Sequence, residues 1–229
     1  MLDNNIKQHN VRSEVLSFRN IIIAIVLILI AFFTFSKYSQ IKKDAEPVVV
    51  NINSEDHTIG RPDAKVSIIE FADMQCPACK AFDPIVSQVI ADYVSKNSSV
   101  KFTFKHFPLV AIHQNTMLAA IGGEAAAKQS KFWEYKKVVY EKQEEWASSL
   151  NAKDKIRSYL ASVGIDAVKW DQDLSDKSLE NKVLSDLKEA MSLNLGGTPS
   201  FIINGVKVDA SYISTVEKLK AYIDAELAK

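Results

Sequence analysis

The chain has 229 residues, of which 47% are hydrophobic and 24% are charged. This balance is typical of a globular protein and excludes wholesale disorder or a membrane protein with many spans. Its two cysteines exclude a disulfide-dense small fold and a four-cysteine zinc site. The 28 basic and 28 acidic residues give a formal net charge of zero, which lacks the basic excess of nucleic-acid-binding proteins.

The N-terminal part contains thirteen consecutive apolar residues, IIIAIVLILIAFF at 21–33. They lie in a 17-residue stretch without charge between Arg19 and Lys37. As a helix, this stretch would rise about 26 Å, close to the ~30 Å hydrocarbon core of a bilayer. A cleaved signal peptide needs a small-residue cleavage site, and a core helix needs a polar face. Neither feature is evident, so we predict an N-terminal tail at 1–20 and a transmembrane anchor at 21–36, while cleavage stays an open alternative.

Charge is distributed unevenly along the chain. Residues 1–43 carry six basic and two acidic residues, a net charge of +4, and the other 186 residues carry a net charge of −4. A basic segment near the bilayer suits anionic lipid headgroups. Three Lys or Arg residues precede the apolar run and three follow it closely, so the positive-inside rule does not decide its orientation.

The segment after the apolar run reads as a tether at 37–55 with one short edge strand near 48–52. The apolar, β-branched run at 66–71 then predicts a strand, and apolar spacings of three and four predict a helix at 81–96. Alternating apolar residues predict a second strand at 99–107. Strand, helix and strand together form a βαβ unit with a right-handed crossover.

The second half of the chain is predominantly helical in pattern. Composition and periodicity predict helices at 117–129, 132–146, 154–164 and 178–193. A strand pair follows at 201–208, where Asn204-Gly205 favours a type I′ hairpin turn. An amphipathic helix is predicted at 215–229.

The two cysteines form the motif Cys76-Pro77-Ala78-Cys79 between the first long strand and its helix. At a helix start, backbone N–H groups and the helix dipole favour an anion, so we expect the pKa of Cys76 to be lowered. Cys79 lies one turn further on, close enough to form a small disulfide ring or to attack a mixed disulfide. Pro77 suits an early helical position, where its missing N–H costs little.

Three other interpretations of the cysteine pair are a structural disulfide, a metal site and two inert thiols. Zinc-finger spacing requires about 3–5 residues between the histidines, whereas six residues separate His106 from His113. A disulfide between residues three apart closes a tiny loop and therefore contributes little loop entropy. The position between strand and helix favours a redox pair, and we predict neither a metal site nor a cofactor.

At these residues the chain resembles the DsbA-like thiol–disulfide oxidoreductases of the thioredoxin superfamily, and most of all the membrane-anchored bacterial type. The resemblance covers about residues 56–229 and rests on VSIIEFADMQCPACKAF, KFWEYKKVVYEKQ and GGTPSFIING. It implies an α/β, thioredoxin-like fold with an inserted all-helical domain. The two thioredoxin-like parts would be 56–112 and 196–229, with the helical insertion at 113–195.

The resemblance also implies roles for individual residues. Cys76 would be the exposed attacking thiol and Cys79 the buried resolving thiol of a redox disulfide. Thr198 and Pro199 match the family's cis-proline loop, in which the backbone before the proline pairs with an extended substrate. Pro77 and Ala78 complete the active-site motif.

Glu70, near the end of the first long strand, matches a buried proton acceptor beside the resolving cysteine. Lys105, near the end of the next strand, matches a basic charge partner found in some members of the superfamily. From the residues alone, a glutamate in an apolar strand needs a partner or a raised pKa. The alternative is a partly solvated carboxylate at the strand end.

The resemblance implies an enzyme that introduces disulfides into exported, unfolded proteins with thiols. A quinone-linked membrane reoxidase would regenerate it, and residues 21–36 would insert in the lipid bilayer. An oxidising role would place the C-terminal domain outside the cytoplasmic membrane, in the periplasm or on the cell-wall side, and the tail at 1–20 in the cytoplasm. The alternatives are a reductase or isomerase on the same scaffold, and a tethered binding module with an inert disulfide.

Overall fold

The computed structural model describes residues 20–21, 23–29, 32, 47–94 and 99–229. The chain divides into two units, residues 1–46 and residues 47–229. In the first unit, the described residues have helical backbone. Among the residues that are described, no helix combines the length and apolarity needed to cross a membrane. Seven positions of the anchor predicted at 21–36 lie outside the described residues, as do 37–46 of the predicted tether.

The second unit is built on one mixed five-stranded sheet. Its strands are β1 (His57–Ile59), β2 (Val66–Ala72), β3 (Val100–His106), β4 (Ser200–Ile203) and β5 (Val206–Val208). Their order across the sheet is β1-β3-β2-β4-β5. Among these described strands, β2 and β3 pair in parallel and the other neighbours are antiparallel. The predicted βαβ unit is therefore confirmed, because a helix connects these two parallel strands.

Helices follow the strands in three groups. The crossover is α1 (Pro77–Val89), which continues into a π-helical turn at Ile90–Val94. Six helices lie between β3 and β4: α2 (Thr116–Ala127), α3 (Phe132–Glu141), α4 (Gln143–Trp146), α5 (Ala152–Tyr159), α6 (Ala167–Asp173) and α7 (Lys177–Ser192). The last helix is α8 (Val216–Leu227).

The edge strand predicted near 48–52 is wrong, because residues 47–53 form no strand. The Val48 N–H donates to the carbonyl of Gly205, but the Asn51 N–H donates to the Glu189 carboxylate instead of extending a ladder. The side chains of Val48 and Val50 are nevertheless used, since they pack on the apolar core beneath the sheet. The edge position is taken by β1, which pairs with β3.

Two helical predictions also differ from the structure. The helix predicted at 132–146 ends at Glu141 and resumes as α4 at Gln143. The short helix α6 was not predicted from its polar sequence; it begins where the Asp166 carboxylate accepts hydrogen bonds from the N–H groups of Val168 and Lys169. This side-chain cap satisfies N–H groups that lack partners within the helix.

Successive side chains of β2 point to opposite faces of the sheet. Val66, Ile68 and Ala72 join the larger core, which includes residues of α1, α8 and the inserted helices. Ile69 and Phe71 face the other way and join a smaller core that contains Ala190 of α7. Because strand side chains alternate, Glu70 belongs to the face that carries α1.

The turn between β4 and β5 is the predicted hairpin. Asn204 and Gly205 have φ values of 49° and 79°, the two positive angles that a type I′ turn requires. Glycine adopts this backbone without a Cβ penalty, and asparagine tolerates it better than most residues. The turn directs β5 back along β4, which itself pairs antiparallel with β2.

Candidate active site

The junction of β2 and α1 places both cysteines at one end of the sheet. Cys76 is the N-cap of α1, with extended backbone, and Pro77 occupies the first turn. Both cysteines are free thiols. Cys79 is completely buried and Cys76 is 7% exposed, so Cys76 is the more accessible thiol but less exposed than predicted.

The two cysteine sulfurs have different environments, and their pKa values shift in opposite directions. A hydrogen bond with Cys79 lowers the pKa of Cys76 to about 5, helped by Thr198 and by the backbone N–H groups of Ala78 and Cys79. Burial raises the pKa of Cys79 far above its ordinary value, and the charges of Cys76 and Glu70 act in the same direction. At neutral pH the reduced pair therefore holds one thiolate, at Cys76, and one thiol, at Cys79.

The loop before β4 lies against the first cysteine. The Thr198–Pro199 peptide bond is cis, which confirms the prediction for this loop. The Cys76 thiol lies 3.4 Å from the carbonyl oxygen of Thr198. The predicted proline loop and the cysteine motif thus meet, although 122 residues separate them in sequence.

Glu70 lies on the α1 face of the sheet and is 2% exposed. Burial raises its pKa to about 7, the charge of Lys136 opposes this rise, and the charge of Asp83 reinforces it. Its Oε2 atom has no hydrogen-bond partner among the described residues. The same carboxylate raises the pKa of Cys79, so these two groups interact electrostatically.

Lys105 is not the charge partner of Glu70, and that prediction is wrong. In the β2–β3 register, Glu70 pairs with Phe104, and Lys105 pairs with Phe71 on the opposite face. The Lys105 ammonium instead contacts Asp56, Asp186 and Glu189. Strand alternation forces this outcome, because neighbouring residues in β3 point to opposite sides of the sheet.

Lys136 of α3 is the cation near Glu70, and sequence analysis missed it. Its ammonium forms a buried ion pair with Asp83 of α1 and lies over the rings of Phe104 and Tyr140. A signal was present, since Phe132, Tyr135 and Tyr140 define the buried face of this helix and position 136 falls on the same face. Charged residues on an apolar helix face are uncommon in a core unless they are paired.

The connection between β2 and Cys76 is held by a second buried carboxylate that sequence analysis missed. Asp73 accepts hydrogen bonds from the backbone of Gln75 and Leu109 and from the side chains of His113 and Thr116, at 2.5–2.9 Å. Its own carbonyl accepts from the Cys76 N–H at 3.0 Å. These bonds fix the connection immediately before the reactive sulfur.

Gln143 of α4 holds the same connection from the other side. Its Nε2 donates to the carbonyl oxygens of Met74, at 2.9 Å, and Cys76, at 3.1 Å. The first N–H groups of an α-helix have no partner within the helix. By holding the backbone at Met74 and Cys76, Gln143 helps to keep the N–H groups of Ala78 and Cys79 directed at the Cys76 sulfur. The inserted helices therefore contribute directly to the geometry around the cysteines.

Comparison with known proteins agrees with this geometry. A family model described as thioredoxin matches residues 52–225. The chain is 30% identical over 211 residues to a probable disulfide bond formation protein D from Bacillus cereus, covering 89% of this chain and 93% of that protein. The crystal structure of oxidised BdbD from Bacillus subtilis superimposes with a TM-score of 0.69 at 25% identity, covering 81% of this chain and all of that one.

A different kind of relative matches a smaller share of this chain. The chain is 31% identical over 173 residues to the Na(+)/H(+) antiporter NhaA 3 of Salinispora tropica. This match covers 76% of the present chain but 25% of the antiporter, so the chain spans about a quarter of that relative. The family match, the relatives and the paired cysteines agree: the chain belongs to the DsbA-like thiol–disulfide oxidoreductases of the thioredoxin superfamily.

Proposed function

We propose that this protein is a membrane-tethered, extracytoplasmic oxidase that introduces disulfides into exported proteins through Cys76 and Cys79. The observation that carries the proposal is the stabilised thiolate of Cys76, whose pKa is lowered to about 5 beside a buried Cys79 thiol. Stabilising the thiolate stabilises the reduced pair, so the disulfide becomes a stronger oxidant. At pH 7, a fall from 9.0 to about 5 corresponds to about 3 kcal/mol, or ~60 mV for two electrons.

The reaction begins when a substrate thiolate attacks the Cys76 sulfur of the disulfide. The bond between the two cysteines breaks, and Cys79 leaves with the electron pair. A leaving thiolate in this buried position is unstable, and protonated Glu70 is the neighbouring acid that donates a proton to it. The product is a mixed disulfide between Cys76 and the substrate.

The second step releases the oxidised substrate. A second substrate thiolate attacks the substrate sulfur of the mixed disulfide, and Cys76 leaves as a stabilised thiolate. The substrate has lost two electrons and the enzyme pair has gained them. A thiolate of low pKa is a good leaving group, so the low pKa of Cys76 speeds this step. The same low pKa also makes the disulfide a stronger oxidant.

Thr198 and Pro199 would bind the substrate chain in an extended form beside the reacting sulfur. Support comes from the contact between the Thr198 carbonyl and Cys76, and from the exposure of Pro77 and Ala78 at the same surface. A substrate backbone that pairs with Thr198 would hold its own cysteine against Cys76. Binding of this kind uses main-chain hydrogen bonds and tolerates many sequences.

The apolar run at 21–36 would anchor the protein in the cytoplasmic membrane with residues 47–229 outside. Support comes from the run itself, from its basic flanks and from the reducing cytosol, in which an oxidase would be inactive. A quinone-linked membrane protein would reoxidise the pair by accepting its two electrons. The anchor would keep the enzyme close to that partner and to emerging substrates.

The reduction potential of the cysteine pair tests the direction of electron flow. We expect a value near the DsbA end of the scale, about −120 mV, and a value near −270 mV would instead indicate a reductase. The matched assay follows oxidation of a reduced, unfolded substrate by the parent and by Cys76→Ala. Equal rates for the two proteins would refute an enzymatic role and favour a binding module.

A further inference from the structure

We propose that Gly196 and Gly197 determine which substrates reach Cys76, because they leave room near the reacting sulfur for large side chains that flank a substrate cysteine. This role rests on the oxidase function proposed above, and its substrate class is an extended polypeptide with bulky residues next to its cysteines. The two glycines directly precede Thr198, whose carbonyl oxygen lies 3.4 Å from the Cys76 thiol. They therefore lie near the surface at which a substrate must enter.

The other five of the seven glycines in the chain are required by the fold. A Cβ atom at three of these positions would lie 3.0 Å or less from a neighbouring atom: Gly60, Gly122 and Gly123. Gly164 and Gly205 have φ values of 74° and 79°, at which a residue with a side chain is strained. Contacts or backbone conformation within the protein thus explain each of these five.

Neither explanation applies to Gly196 or Gly197. Apart from adjoining residues, no heavy atom of the described chain lies within 4 Å of a Cβ atom built at either position. Neither residue has a positive φ. Glycine in such a position costs stability, because it has more conformational freedom to lose on folding than alanine has. The open space at these two positions is therefore not needed by the fold and is available to a ligand.

The loop that contains the two glycines is held at both ends. The Leu195 N–H donates to the carbonyl oxygen of Ala190 at 3.1 Å, and the Leu195 side chain packs on the smaller core. The Ser200 hydroxyl donates to the carbonyl oxygen of Gly197 at 2.6 Å, and β4 begins at Ser200. These contacts give a substrate a preformed surface, which lowers the cost of binding.

The backbone of residues 196–198 is free to pair with a substrate. Within the described part of the chain, no backbone carbonyl accepts a hydrogen bond from the N–H groups of these three residues. An extended peptide can pair with such groups as it does with the edge of a sheet. Opposite residues in paired strands have Cβ atoms about 4.5–5.5 Å apart, so their side chains touch. Glycine at 196 and 197 removes this contact and leaves room for an aromatic or branched substrate side chain.

Oxidation of two reduced peptides tests this role with the full chain in detergent micelles and the Cys76–Cys79 pair oxidised. Both peptides carry two cysteines, flanked by tyrosine and isoleucine in the bulky peptide and by glycine in the small peptide. Each peptide loses two electrons to the enzyme disulfide, and the second-order rate constant of its oxidation is measured. We expect Gly196→Leu and Gly197→Leu to slow the bulky peptide at least about 10-fold and the small peptide less than about 2-fold, since pocket mismatches change rates by about 10–200-fold.

Gly164→Ala is the matched control, because it replaces a glycine of the helical insertion that has a positive φ. Its Tm should fall through backbone strain, while its preference between the peptides stays that of the parent. Gly196→Ala and Gly197→Ala should keep the parent Tm or raise it by up to about 4 °C. The reduction potential should be the same in the parent and both leucine variants, because selection by size leaves the environment of the sulfurs unchanged.

Selection by the glycines is refuted if the leucine variants slow the bulky peptide no more than the small one. Failure of the alanine variants to fold would also refute it, since the fold would then require these glycines. If only the leucine variants fold poorly, the alanine variants decide by the same comparison of peptides. A parent that oxidises neither peptide would refute the oxidase role itself, whereas equal slowing of both peptides would refute only the selection.

Discussion

Cys76 and Cys79 are chemically equivalent in the unfolded chain and strongly different in the folded one. The difference arises from contacts over a few ångströms: a thiol donor and backbone N–H groups around Cys76, and complete burial around Cys79. A CxxC motif at a helix start indicates this asymmetry qualitatively. The contact between Cys76 and Thr198 becomes visible only when the proline loop is placed against the motif.

Replacing Cys79 tests the largest cause of the low Cys76 pKa. We expect Cys79→Ala to raise the Cys76 pKa from about 5 towards 9.0, because the variant loses the thiol that donates to the thiolate. Cys79→Ser is the matched control and keeps a low pKa through its hydroxyl group. Thiolate ultraviolet absorbance against pH measures both values. Identical midpoints in the two variants would contradict this account.

Glu70 should make the folded protein less stable as pH rises. Its folded pKa of about 7 lies above the ordinary value of 4.5, so the folded state holds a proton that the unfolded state releases between these pH values. The parent therefore loses stability from about pH 4.5 to pH 7. Glu70→Gln removes this loss, and its advantage over the parent grows across that window to at most about 3 kcal/mol. Denaturant unfolding of the oxidised chain at a series of pH values measures it.

Two charged residues near Glu70, Lys136 and Asp83, provide controls that should shift this pH range in opposite directions. Lys136→Met removes the charge that lowers the pKa of Glu70, so the upper end of the window should move above pH 7. Asp83→Asn removes a charge that raises this pKa, so the upper end should move below pH 7. If both substitutions moved the window in the same direction, the electrostatic account of Glu70 would be wrong.

At the scale of elements, β1, β3 and α7 are joined by a buried network of ion pairs. Lys105 is 2% exposed and contacts Asp56, which precedes β1, and Asp186 and Glu189 of α7. Lys182 contacts Asp56 and Asp186 as well. Lys105, which was predicted as a charge partner of Glu70, thus joins the sheet to the end of the helical insertion.

Lys105→Met should destabilise the fold without altering the chemistry at the cysteines. Removing one partner of a buried ion pair leaves uncompensated charge and costs about 3–5 kcal/mol. Arg61→Ala is the comparison, since Arg61 pairs with Asp63 at the surface, where solvent screens the pair and its loss should change stability much less. Chemical unfolding gives both values, and the pH titration of Cys76 should be the same in parent and Lys105→Met. A shifted Cys76 pKa would restore Lys105 to the active site.

At the scale of the whole molecule, the helical insertion completes the site that the thioredoxin-like part begins. The sheet and α1 supply both cysteines, Glu70 and the proline loop. The insertion supplies Lys136 beside Glu70 and Gln143 beside the backbone of Cys76. Lys136 acts on Glu70 and Gln143 binds the Cys76 carbonyl, and both side chains come from outside the βαβ unit.

The proposed anchor predicts where the protein is found in cells. The full chain should fractionate with membranes after washing with high salt, because an apolar segment is held by the hydrocarbon core and not by charge. Residues 47–229, expressed alone, should not fractionate with membranes, since the apolar run is missing. Release of the full chain by salt, or membrane association of the shorter one, would contradict the anchor.

Sequence patterns by themselves determined the local structure and the reactive motif. Periodicities near 3.6 and 2 are local properties of the chain, and they predicted the βαβ unit and most inserted helices. The turn preference of the Asn204-Gly205 pair, also local, predicted the hairpin. The position of the Cys76–Cys79 motif between a strand and a helix indicated redox chemistry. The short edge strand was misplaced, because a three-residue strand such as β1 is too short for a pattern.

Only the tertiary structure decided which distant charges meet. Glu70 and Lys105 looked like partners by position, but strand alternation put them on opposite faces, and Lys136 lies near Glu70 instead. Hydrogen bonds of Glu124 with His57 and His106 join residues up to 67 positions apart. Such contacts depend on the register of the strands and the packing of the helices. These are long-range properties that no local pattern of residues encodes.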